Sequence, residues 1–119
     1  MANEHIKTAA SNLQRAAQDE RERQSELRRE IDNAKRTCDT RMADIKAQMT
    51  ANARNALMPN TNDVAKRANA VHVQSLKAEM AKIKKDTDLY ISHISDQAKG
   101  LDGHIGEFEN LASHLNNIA

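Results

Sequence analysis

The stretch ALMPNTNDVA, residues 56–65, holds Pro59, the only proline in a chain of 119 residues and close to its midpoint. Pro59 has no backbone N–H, and its ring clashes with the preceding turn, so a helix cannot run through it. Met58, just before it, is pushed toward extended backbone. Asn60, Thr61, Asn62 and Asp63 follow. Such short polar side chains make turns and N-caps. The sequence therefore predicts one helix over about residues 3–57, a turn over 58–62 and a second helix over about 63–118. Thr61 or Asn62 is the expected cap, and Asp63 complements the positive end of the new helix.

Working outward from the turn, the second half has the cleaner pattern. Val73, Leu76, Met80, Ile83, Thr87, Tyr90, Ile94, Ala98, Leu101, Ile105, Phe108, Leu111, Leu115 and Ile118 recur in steps of mostly three and four. A period near 3.5 is the seam of a coiled coil. The first half carries a weaker version through Ile6, Leu13, Ala17, Leu27, Ile31, Ala34, Cys38, Met42, Ile45, Met49, Ala53 and Ala56. A short loop between two such helices favours an antiparallel pair. With the turn centred near residue 60, facing residues sum to about 121. Leu27 then faces Ile94, Ile31 faces Tyr90, Cys38 faces Ile83, Met42 faces Met80 and Ile45 faces Leu76.

Composition agrees. Aromatics are confined to Tyr90 and Phe108, there is no Trp, and glycine occurs only three times. Compact cores usually lean on large aromatics, and β-rich folds need more turn residues. The balance of 18 basic against 17 acidic residues gives a net charge of +1. That removes the overall basic excess on which nucleic-acid binding usually rests. No apolar run approaches the roughly 20 residues of a membrane span. The segment MANEHIKTAASNL has no apolar signal-peptide core. A cytoplasmic location is expected, with secretion that needs no cleaved signal left open.

One segment departs from the pattern. QDERERQSELRRE, residues 18–30, has Leu27 as its one apolar residue. Its antiparallel opposite includes Gly100 and Gly103, and Gly106 follows. A glycine inside a helix costs about 1 kcal/mol relative to alanine. The glycines mark either a close helix contact or a flexing segment, with a kink or break at 100–106 as the extreme case. The acids of the charged run cancel its arginines. Asp19–Arg23 and Arg28–Asp32 fall four apart, as on an exposed helical face.

Candidates for chemistry are few. Among His5, His72, His93, His104 and His114 there is no Glu-x-x-His pair of the kind that builds di-iron bundles. Cys38 occupies a seam position in mid-helix, where a structural thiol is the default. Ser92–His93 and Ser113–His114 are sequence neighbours, so on a helix their side chains diverge by about 100°. The chain has no HExxH, no CxxC and no phosphate-binding glycine loop. No catalytic, metal or cofactor-binding residue is expected, and the chain is read as no enzyme.

The apolar face is wider than one seam needs around Leu89, Tyr90, Ile91 and Ile94, again at Val64, Val71 and Val73, and where Leu111 and Ala112 add to Phe108 and Leu115. The expected fold is all-α, a single-domain (1–119) long antiparallel helical hairpin that pairs with a second copy into a four-helix bundle. The expected interaction seam is Leu27, Ile31, Ile45, Leu76, Ile83, Tyr90, Ile91, Ile94, Leu101, Phe108 and Leu115. The function class that follows is a non-enzymatic scaffold or adaptor. It would act by coiled-coil self-association as a homodimer and by helix-to-helix binding of a protein partner, without nucleic acid or membrane. The second reading is an exported hairpin subunit that polymerises. In its turn, Pro59 and Asn60 resemble the Pro/Asn-rich loop of type III secretion needle subunits.

Overall fold

A computed structural model describes residues 2–119. They form two helices, α1 (Ala2–Ala56) and α2 (Asp63–Ile118), with no strand among the described residues. Good helix formers fill both, and Glu4 and Asp63 lie in the first turns with Arg54 in the last turn of α1. Each charge complements the helix dipole at its end. α2 is uninterrupted through residues 100–106.

The connection is short because its hydrogen bonds close quickly. Leu57 N donates to the Arg54 carbonyl at 3.1 Å and Met58 N to the Asn55 carbonyl at 3.2 Å, tightening the end of α1. Thr61 N donates to the Met58 carbonyl at 3.1 Å, a β-turn with Pro59 and Asn60 at its centre. No described residue has positive φ, so the turn needs no glycine and suits proline at its second position. The two expected cap residues divide the work. Asn62 Oδ1 accepts from Ala65 N at 2.8 Å, capping α2. The Thr61 hydroxyl donates to the Asn55 carbonyl at 2.7 Å, occupying an acceptor at the end of α1.

The chain divides into two compact units. The turn unit, Asn33–Ile91, contains the connection and the helix segments beside it. Its core is Ile45, Leu76 and Ile83, with Cys38, Met42, Met49 and Met80 packed against it. The expected partners Met42 and Met80, and Ile45 and Leu76, lie in this one cluster. Burying an aliphatic side chain of this size contributes about 1.5–3 kcal/mol.

The terminal unit, Met1–Asp32 with Ser92–Ala119, brings the two ends of the chain together. Leu27, Ile94 and Ala98 form its core, with Ile31 and Leu101 against them. Alanines occupy much of the rest of the seam. Ala10, Ala17 and Ala112 are each about 1% exposed, deeper than any Leu, Ile or Val among the described residues. Small side chains at a seam let backbones approach closely.

Three features of the seam differ from expectation. First, it does not lapse over residues 18–30. Ala10, Leu13, Ala17, Glu20, Gln24, Leu27 and Ile31 are all buried or half-buried, in unbroken steps of three and four. A search for apolar residues passes over Glu20 and Gln24, which hold two of these positions. Second, Ala10 was not among the expected seam residues, Ala112, expected beside the seam, is buried where Leu111 was expected and Leu111 is 52% exposed, and Asn52 rather than Ala53 takes the half-buried position near the end of α1. Third, Tyr90 is 45% exposed. The seam of the turn unit steps four residues from Thr87, so Ile91 takes the half-buried position instead.

Candidate interaction surface

The expected seam residues fall into three groups. Leu27, Ile45, Leu76, Ile83 and Ile94 are buried. Ile31, Ile91, Leu101, Phe108 and Leu115 are half-buried. Tyr90 stands outside, at the edge of a shallow groove with Thr37 and Arg41. A second groove in the turn unit is edged by Lys35, Lys46 and Lys84 and floored by Met42 and Ile91. Cys38 and Thr87 line both. Their small side chains, with Ala34, leave the seam underfilled at that level, and the grooves follow.

The terminal unit carries a polar latch. Gln24, only 8% exposed, donates from Nε2 to the Ala98 carbonyl at 2.8 Å and to Asp102 Oδ1 at 2.5 Å. The small Ala98 side chain leaves its carbonyl within reach across the seam. Around the latch, Arg21 pairs with Glu109 across the helices, and His104 Nδ1 lies 4.0 Å from Glu20 Oε2. Both partners of the Arg21–Glu109 pair are about half exposed, so it contributes at most about 1 kcal/mol.

The glycines of this unit do not mark a contact. A Cβ built at Gly100, Gly103 or Gly106 meets nothing within 4 Å. Of the two explanations the sequence allowed, a close helix approach at these residues is excluded.

The total charge of +1 conceals a division. The turn unit holds 11 of the basic and 6 of the acidic residues, a net +5. The terminal unit holds 7 basic and 11 acidic residues, a net −4. The ion pairs among the described residues, Arg21–Glu109 and Arg23–Glu26, and the His104–Glu20 contact all lie in the terminal unit. In the turn unit no Lys or Arg has a carboxylate within 4.0 Å among the described residues.

Exposed apolar side chains occur in both units. The turn unit shows Leu57 (83% exposed), Met58, Val64 (75%), Val71 (70%) and Leu89, and the terminal unit shows Leu111 and Ile118. Val64 and Val71 are seven residues apart on α2, as are Leu111 and Ile118, so each pair shares a helix face. Four of the five histidines belong to the terminal unit and Cys38 to the turn unit. Among the described residues no three of His, Cys, Asp or Glu gather as metal ligands. No described helix is long and apolar enough to cross a membrane. The chain matches no protein-family model, no curated protein and no solved structure.

Proposed function

We propose that this chain is a non-enzymatic helical interaction protein that works as a homodimer and binds a protein partner helix to helix. The observation that carries the reading is surface area. The chain exposes 8724 Å² for a mass of 13.3 kDa. A compact monomer of that mass exposes about 6,500 Å². The excess of about 2,200 Å² per chain is on the scale of what each partner buries in an obligate dimer. The core points the same way, since its larger aliphatic residues keep a few per cent exposure each and no large side chain among the described residues is below 2%. A second pair of helices would complete their burial, giving the four-helix bundle.

Mass in solution tests this. Light scattering across a concentration series should give twice 13.3 kDa, with a melting temperature that rises with concentration, as mass action requires of a dimer. A cooperatively melting monomer at micromolar concentration rejects the proposal.

A further inference from the structure

We infer that one side of the turn unit is the docking site for an acidic amphipathic helix of another protein. That helix lays its apolar face in the groove between α1 and α2 and its carboxylates on the lysines along both banks. The inference rests on the helix-to-helix part of the reading above and adds the surface and the chemistry of the partner.

The charge of the turn unit is sorted by side. Lys35 and Lys46 of α1, and Lys66, Lys77 and Lys84 of α2, each directly follow a buried or half-buried seam residue. Asp39 and Asp88 are the acids in such positions, so the five lysines leave this side at a net +3. Among residues that directly precede a seam residue, Arg41 and Lys82 stand against Asp44, Glu79 and Asp86, a net −1. The grooves show that these two sets occupy opposite sides of the hairpin. Lys35 and Lys46 line one groove with Lys84, whereas Thr37 and Arg41 line the other with Asp86 and Tyr90. Lys66 borders a further groove toward the turn, over Ala56 and Val73. Lys77 lies seven residues before Lys84 and so shares its face of α2.

The five lysines are exposed, and none has a carboxylate within 4.0 Å among the described residues. Asp39 and Asp88 lie one helical turn beyond Lys35 and Lys84 and pair with neither. The groove between the banks is floored by Met42 and Ile91. Methionine adapts to irregular apolar surfaces. A bare polyanion would use the lysines and leave this floor empty, and an uncharged apolar helix would leave the lysines unpaired. A helix with apolar residues at heptad positions a and d and glutamates at e and g uses both. Lys66 to Lys84 span about 27 Å of α2, which a helix of about 18 residues covers. A second turn unit does not fit, because two of them meeting on this side about a twofold axis would set lysine against lysine.

A peptide titration tests this on the full chain. The probe is a synthetic helix of about 21 residues with Leu at a and d and Glu at e and g, followed by fluorescence anisotropy. It should bind with a Kd that rises with salt. The same peptide with Lys at e and g should not bind, nor should one with Ser in place of Leu. Two double variants of the chain then separate the site from total charge. K46E with K77E acts on the docking side, and R41E with K82E makes the same change in charge outside it. Kd should rise about tenfold or more in the first and less than about threefold in the second. Far-UV dichroism and light scattering should show both variants with wild-type helix content and mass.

Absence of binding by the Glu peptide, equal losses in the two variants, or binding that survives the change of Leu to Ser overturns this inference and leaves the homodimer to its own test. A short DNA duplex or vesicles of anionic lipid that bind in place of the peptide, and are lost in the K46E, K77E variant, reassign the lysines to phosphate and also overturn it. A chain that passes the peptide tests as a monomer at every concentration keeps the docking site and overturns the homodimer alone.

Discussion

The two units solve the same packing problem with different materials. The turn unit buries Ile45, Leu76 and Ile83 and surrounds them with methionines and Cys38. The terminal unit lines its seam with Ala10, Ala17, Ala98 and Ala112 and adds a buried Gln24. Large aliphatic residues stabilise by the area they remove from water. Alanines bury less each and instead allow close approach. The turn unit also has a connection that holds its helices together, whereas the terminal unit closes over contacts such as Gln24 to Ala98, 74 residues apart in sequence, and must offset the larger loop entropy. Its inter-helix polar contacts, Gln24 to Ala98 and Asp102, and Arg21 to Glu109, lie where that cost falls. A buried polar residue in a seam sets register better than it adds stability.

The comparison breaks first at the large side chains. Ile83→Ala in the turn unit and Ile94→Ala in the terminal unit should each cost about 2–4 kcal/mol in urea denaturation, as for other core truncations. Equal losses would show one cooperative structure, while loss of only the local unit's amide protection would show two. Next is the alanine seam. Ala17→Leu overpacks a residue 1% exposed and should destabilise by about 1–3 kcal/mol. The same change at the exposed Ala47 should be close to neutral. A harmless Ala17→Leu would mean that the helices can separate there at little cost.

The latch comes third. Gln24→Ala removes two hydrogen bonds, one to a carboxylate, and should cost about 1–2 kcal/mol. Gln24→Leu should recover part of that loss by burial. If it recovers all of it while pairing of the chain ends becomes less specific by cysteine cross-linking, the residue acts on register. The smallest effect has the opposite sign. Gly103→Ala enters open space on a helix and should raise stability by about 0.4–1 kcal/mol by restricting the unfolded chain. Destabilisation there, read from the melting temperature, would place a second surface against residues 100–106.

The sequence by itself determined the two helices and their junction. Pro59 and the polar run after it end one helix and begin the next through backbone restrictions that act within a few residues. The antiparallel pairing of Leu27 with Ile94 and of Ile45 with Leu76 was also legible, because large aliphatic residues at heptad spacing have few other roles. Only the tertiary structure decided the rest. Gln24 reads as one more solvated residue in a charged run, and its burial depends on a carbonyl 74 residues away. Ala10 and Ala112 are buried while Ala47 and Ala51 are exposed, a difference that no property of alanine encodes. The glycines could have marked a contact or open space, and neighbouring atoms settled it. The near-neutral chain has a basic and an acidic unit because folding brings residues 92–119 beside residues 2–32. Local steric rules can be read in chain order, but burial and electrostatic surroundings depend on residues distant in the chain and take form only once those residues meet.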